Sequence, residues 1–220
     1  MDDRLSTQYE AADARWLVQW LRGPTRTRPE GSCVQVGDPA PDVELVDAES
    51  RPARLSDFWR EGPAHLFFLR HYGCPCMKER WAQLNADLAK LAETGARSVA
   101  IGMGEPERTR RFIEVRSISI PVLCDPEGKA YDAYGIIEGT VPAILHDFEW
   151  KPGDQKTGYK LMKSRRETDL RLVDNAWLLP AEFVVGRDGV IVHAHRYQYC
   201  EDFPPTAVLL GAIREARGPA

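Results

Sequence analysis

The sequence predicts an α/β fold, and three observations carry that prediction. Apolar runs short enough for strands buried on both faces, Ala64–Leu69 and Ser98–Ile101, are each followed by a helical pattern, and this alternation implies right-handed crossovers and parallel strand pairs. Near the end, Ala181–Val185 and Val190–His195 flank Gly186-Arg187-Asp188-Gly189, a hairpin with Asp-Gly at its turn. The 220 residues are 43% hydrophobic and 28% charged, enough apolar material for one core of domain size.

In order, the elements read as follows. Tyr9, Ala12, Trp16, Leu17, Trp20 and Leu21 recur at three- and four-residue spacing until Gly23-Pro24, which predicts an amphipathic helix over Ser6–Leu21. Its two tryptophans need cover, from the chain's own domain or from a partner. Thr25–Ser32 reads as a linker, so residues 1–32 are an N-terminal appendage and 33–220 the main domain. Pro41–Val46 alternates like a half-buried strand, and a second extended piece ends at Leu55. After Cys74-Pro75-Cys76, the residues Met77, Trp81, Leu84, Leu88 and Leu91 form one helical stripe, Arg80, Gln83, Asp87 and Lys90 form the opposite line, and Gly95 closes the helix. Glu105–Val115 is a further helix, Ile120–Leu123 a short strand, and Lys129–Tyr134 a short helix stopped by Gly135. Residues 136–179 alternate apolar pieces with turn signals and read as an insertion. Its cluster Lys156, Lys160, Lys163, Arg165 and Arg166 is a solvated face or an anion site. A last helix spans about Pro205–Arg214.

Charge and composition exclude several functions. A net charge of -4 argues against a general nucleic-acid binder, which needs a broad basic surface. The apolar stretches are too short to span a bilayer, and the N-terminus lacks a secretory signal, so a cytoplasmic protein with neither nucleic-acid nor membrane partner is expected. Five cysteines fall short of a disulfide-stapled module, and in a reducing compartment the close pair Cys74/Cys76 points to redox or metal chemistry.

A buried strand that turns directly into a helix sets its turn at the carboxyl edge of the sheet, where open α/β folds bind ligands. Pro75 suits the first helical position, which makes Cys74 the N-cap, facing the free N–H groups and the positive end of the helix dipole. Arg70 and His71 stand close by. Such surroundings lower a thiol pKa and yield a reactive thiolate. On the helical wheel Cys74 joins the Met77 stripe, whereas Cys76 joins the Arg80 line and is expected to be the more exposed. A Cys74–Cys76 bond closes a very small ring, which suits a transient link.

The run Phe67-Phe68-Leu69-Arg70-His71-Tyr72-Gly73-Cys74-Pro75, with Glu79, resembles the active-site stretch of the alkyl hydroperoxide reductase/thiol-specific antioxidant (AhpC/TSA) peroxiredoxin-like proteins. Further matching pieces follow in order: Val36–Pro41, Ile120–Gly128 with Tyr134-Gly135, and Pro180–Val185 with Asp188-Gly189. The resemblance implies a thioredoxin-like fold, a central mixed β-sheet flanked by helices, with the N-terminal helix and the 136–179 insertion added. It places Pro180 where such folds keep a cis-proline. It also implies a thiol-dependent peroxidase in which the Cys74 thiolate attacks a hydroperoxide, becomes a sulfenic acid and is resolved by Cys76, by Cys200 or by an external thiol such as thioredoxin or glutathione.

The sequence departs from the family pattern around the reactive cysteine. Met77 stands where relatives with Cys-x-x-Cys have the second cysteine, and His71 where a Thr or Ser helps hold the peroxide. No arginine lies around Leu178–Pro180, so Arg70 is the nearest substitute and Arg196 a second. The catalytic set is therefore Cys74, Cys76, Arg70 and His71, with no cofactor and no metal. Family habit and the Trp16/Trp20 helix also admit a homodimer. Two other functions fit the same fold: a thiol-disulfide or endoperoxide reductase using Cys74/Cys76, and a non-catalytic thioredoxin-like module that recruits a partner through the tryptophan helix and the basic segment. His193 and His195 share a strand face, a spacing that permits metal binding or a structural role.

Overall fold

The computed structural model describes residues 14–25 apart from Trp16, 33–146 and 175–217. Most of the expected N-terminal helix, with Trp16, and the basic cluster at 156–166 lie outside the described residues.

Seven strands form one mixed sheet in the order β2-β1-β5-β4-β3-β6-β7. Three central strands, β3 (Ala64–Phe68), β4 (Arg97–Gly102) and β5 (Val122–Cys124), run parallel. They are joined by helices α1 (Pro75–Glu93) and α2 (Pro106–Arg116), the crossovers that parallel neighbours require. Antiparallel pieces complete both sides: β1 (Glu44–Asp47) with β2 (Pro52–Arg54), and β6 (Ala181–Val185) with β7 (Ile191–Arg196). The short helices α3 (Lys129–Ala133) and α4 (Val141–Ile144) and the C-terminal α5 (Thr206–Ala216) make up the rest. The predicted parallel pairing thus holds at the centre, and the hairpins at either end make the sheet mixed.

Strand alternation divides the core into two layers. Phe67, Leu69, Ala100 and Val184 pack with Met77, Trp81, Leu84 and Leu91 of α1 and with Leu209 and Ile213 of α5. Leu66, Phe68, Val99, Ile101, Phe183 and Val185 face the other way, onto Phe58, Tyr131 and Tyr134. The uninterrupted apolar run of β3 reflects cover on both faces, and all five of its residues are buried.

The ends of α1 follow the sequence signals. Cys74 is the N-cap with an extended backbone, Pro75 opens the helix, and Gly95 beyond its end takes a positive φ of 77°. Residues 17–22 are helical, and Trp20 lies stacked on Trp177 with ring centroids 4.4 Å apart and planes 6° apart. The Trp177 Nε1–H donates to the Gln19 carbonyl at 2.8 Å. Trp20 is therefore covered by the chain's own domain.

Two expectations fail. No peptide bond among the described residues is cis, so Leu179–Pro180 is trans. Tyr197 N–H donates to Pro180 O, extending the β6–β7 ladder by one residue, and Leu179 N–H donates to Ile137 O on the other side. Nor is Cys76 exposed, for reasons given next.

Candidate active site

The β3–α1 turn sits at the carboxyl edge of the parallel strands, as the strand–turn–helix reading requires. Cys74 and Cys76 are joined in a disulfide. Both are enclosed, at 1% and 4% exposure. The expected contrast between them is absent because the start of the Arg80 line, Cys76 and Arg80, does not face water, although Gln83 and Lys90 further along it do. Arg80 is itself buried and forks onto Glu182 of β6, Nε to Oε1 and a terminal nitrogen to Oε2, each at 2.8 Å. Its guanidinium also lies over the Phe203 ring, and Thr206 at the start of α5 donates to Asp87 at 2.6 Å. The segment entering α5 thus covers the α1 face that helical periodicity alone marks as polar.

Cys200 belongs to this site. Its backbone N–H donates to Ala143 O at 3.0 Å, its side chain is buried, and its sulfur lies with those of Cys74 and Cys76 in a group whose members are all within 4.8 Å of one another. Among the described residues this is the one cluster of His, Cys, Asp or Glu side chains with metal-ligand spacing. His193 and His195 do not join such a cluster; His195 Nε2 instead lies 2.8 Å from the Asp202 carbonyl. Cys33 lies against Gly135, and Cys124 contacts Thr109 Oγ1 at 3.3 Å with its thiol pKa raised by burial; neither joins the three-sulfur group.

Arg70 and His71 are buried beside the turn. An Arg70 terminal nitrogen lies 2.5 Å from His71 Nε2, and the other donates to Ala176 O. A guanidinium only donates, so His71 Nε2 accepts and the ring proton sits on Nδ1. Arg70 Nε has no hydrogen-bond partner among the described residues. Arg196 is committed elsewhere: it donates to the carbonyls of Val34, Tyr134 and Gly135 and lies over Phe183. The second candidate for a peroxide-polarising arginine is thus a clamp on the loop after α3.

Sequence reasoning missed Glu182. It is fully buried and accepts from Arg80 twice and from Tyr197 Oη, and its Oε2 is 2.7 Å from His65 Nε2. Burial pushes its pKa up, but the bond to His65 and the Arg80 charge outweigh that and hold it at about 2. The signal was present as an acidic residue inside the apolar run Ala181-Glu182-Phe183-Val184-Val185, since a carboxylate in a doubly covered strand requires buried partners.

A fold of this type, with a cysteine at the N-cap after the central strand and a second sulfur bonded to it, defines a thiol oxidoreductase of thioredoxin-like architecture. The chain belongs to the AhpC/TSA family, whose model matches residues 36–194. It is 34% identical over 114 residues to a Mycobacterium tuberculosis protein named for the peroxiredoxins, a match covering 51% of this chain and 73% of that one. It is 31% identical over 120 residues to the thiol-disulfide oxidoreductase ResA of Geobacillus thermodenitrificans, covering 53% and 65%. A chloroplast thioredoxin-like protein of Arabidopsis thaliana is 28% identical over 44% of this chain, and the match spans only 39% of that relative's length. Among solved structures, a peroxidoxin from Mycobacterium tuberculosis superposes with a TM-score of 0.61 over 84% of this chain and 99% of its own, at 21% identity, a likeness of fold alone. Among the described residues no helix is long and apolar enough to cross a membrane.

Proposed function

We propose that the protein is a thiol-dependent peroxidase. The Cys74 thiolate attacks the O–O bond of a hydroperoxide, the alcohol or water leaves, and Cys74 becomes a sulfenic acid. The Cys76 thiolate then attacks that sulfur and expels water, and an external dithiol such as thioredoxin, or glutathione, reduces the resulting disulfide. The observation that carries this reading is the Cys74–Cys76 bond itself, formed at a helix N-cap with the helix intact. Resolution therefore needs no unwinding. Arg70, buried beside the turn with Nε unbonded among the described residues, is the group that polarises the peroxide, and the neutral His71 holds it in place.

Stopped-flow oxidation of the reduced protein by hydrogen peroxide and an organic hydroperoxide tests the proposal, with mass spectrometry of Cys74 in wild type, Cys74→Ser and Cys76→Ser. The expected result is rapid oxidation that ends in a Cys74–Cys76 bond, is abolished in Cys74→Ser, and stops at a dimedone-reactive sulfenic acid in Cys76→Ser. Rates no faster than a free thiol would overturn it.

A second reading, thiol-disulfide or endoperoxide reductase, is favoured by the same bonded pair and by the ResA relatives. Fast exchange with thioredoxin alongside slow peroxide reaction identifies it. For the recruitment-module reading, Trp20 packs on Trp177 of its own domain, while Trp16 and the basic segment lie outside the described residues. The homodimer and a cytoplasmic location stay expectations; sedimentation and fractionation test them.

A further inference from the structure

We propose that Cys200 is a third catalytic thiol, which takes over the disulfide from Cys74 and returns the first cysteine to its thiolate form while the protein is still oxidised. The inference rests on the thiol-oxidoreductase reading above. Three observations carry it. The Cys200 sulfur lies within 4.8 Å of both members of the bonded pair, within the reach of a side-chain rotation. Its segment is pinned at that place: Cys200 N–H donates to Ala143 O, Tyr197 N–H to Pro180 O, and the Asp202 carboxylate accepts from Gln198 N–H at 2.9 Å. All three sulfurs are buried in one apolar cluster, so they face one another without either segment leaving the core.

Chemistry selects which sulfur is attacked. In thiol–disulfide exchange the thiol with the lower pKa leaves faster. Cys74 is the N-cap of a 19-residue helix, where free N–H groups and the dipole stabilise a thiolate. Cys76 lies inside the first turn. Cys200 therefore attacks Cys76: its proton is released to water, its sulfur bonds to Cys76 Sγ, the Cys74–Cys76 bond breaks, and the electron pair leaves on Cys74. One disulfide and one thiol stand on each side, so no external oxidant or reductant is consumed. The product holds one oxidising equivalent in a Cys76–Cys200 bond and presents Cys74 ready for a second.

Peptide mapping decides the matter in the intact protein. Trypsin cuts after Arg70, Lys78, Arg196 and Arg214, so Cys74 and Cys76 fall in the 71–78 peptide and Cys200 in the 197–214 peptide. A Cys74–Cys76 bond leaves these two peptides separate, whereas a bond to Cys200 joins them. The reduced protein is oxidised with one equivalent of diamide, a thiol oxidant that bypasses peroxide chemistry, and in parallel with one equivalent of hydrogen peroxide, then quenched in acid, blocked with a maleimide and digested with trypsin near neutral pH. We expect the joined peptides in at least a tenth of the oxidised protein, with the alkylated cysteine being Cys74, and their loss in Cys200→Ser. A second equivalent of peroxide, added with dimedone, should then label Cys74 in wild type and not in Cys200→Ser. Separate peptides with Cys200 fully alkylated overturn the inference, and the wild-type map alone is enough to overturn it if Cys200→Ser folds poorly. The two oxidants separate this proposal from the peroxidase reading. Joined peptides with diamide but sluggish peroxide reaction remove the peroxidase and leave the relay; rapid peroxide oxidation confined to Cys74–Cys76 does the reverse.

Discussion

Replacing Glu182 by Gln keeps the side chain's shape and removes its charge, which makes it a direct probe of the buried network beneath α1. The wild-type carboxylate accepts from Arg80 and Tyr197 and pairs with His65, all four side chains being buried. In the variant the Arg80 guanidinium loses the only carboxylate it is hydrogen-bonded to among the described residues. Removing one partner of a buried ion pair costs about 3–5 kcal/mol, since the other charge stays behind uncompensated. Titration gives a second route to the magnitude. Desolvation opposes ionisation of Glu182, yet its hydrogen bonds and the Arg80 charge bring it to about 2 from the ordinary 4.5, a difference worth on the order of 3 kcal/mol. The folded state therefore binds the proton less readily than the unfolded chain. Stability from this group is fully present above about pH 4.5 and is lost as pH falls toward 2. Urea denaturation of wild type and Glu182→Gln at pH 7, 5, 4 and 3 provides the assay. The stability gap between the two proteins should be flat from pH 7 to 5 and close progressively below that. Other carboxylates titrate in both proteins and cancel in the gap. A gap under about 1 kcal/mol at pH 7, or one that does not change down to pH 3, refutes the reasoning.

Two further substitutions probe the support of the site. A Cβ at Gly102 would run into the Tyr72 ring, which cannot move aside freely because it stacks on Phe112 at 4.2 Å and its hydroxyl bonds Thr109 at 2.8 Å. Gly102→Ala should therefore cost about 1–3 kcal/mol in urea melts, and an unchanged midpoint would show that the loop before Cys74 gives way more easily than its packing implies. Trp177→Ala removes both the stack on Trp20 and the hydrogen bond to Gln19, with an expected loss of about 3–5 kcal/mol. It should also release the 17–22 helix, so trypsin should cut after the exposed Arg22 well before the rest of the domain; equal cleavage times in the two proteins would contradict that docking.

What could be read from the sequence was whatever depends on neighbours in the chain. Periodicity placed β3, β4 and α1 because burial on both faces, or on one stripe, leaves its mark within a few residues. The N-cap role of Cys74 follows from Pro75 alone. What could not be read depends on partners far away. Cys76 and Arg80 lie on a line of α1 that is polar by composition, yet Arg80 is 102 residues from the Glu182 that lets it be buried. Pro180 is trans, and the Tyr197 N–H that bonds its carbonyl comes from the end of a strand that no local pattern pairs with it.

The same long-range contacts connect the polar network to the redox site. Tyr197 closes the Glu182 network through its hydroxyl and the β6–β7 ladder through its N–H, and three residues later Cys200 meets the Cys74–Cys76 pair. Arg80, on the helix that begins with those cysteines, is held by the same carboxylate. Glu182 thus fixes both the α1 side and the Cys200 side of the three-sulfur cluster relative to β6. Any change that loosens it should widen the cluster before it unfolds the domain. Glu182→Gln should accordingly lower the yield of 71–78 peptide joined to 197–214 peptide under conditions where circular dichroism still shows a folded protein. An unchanged yield would mean that Ala143 O alone suffices to hold Cys200 in place.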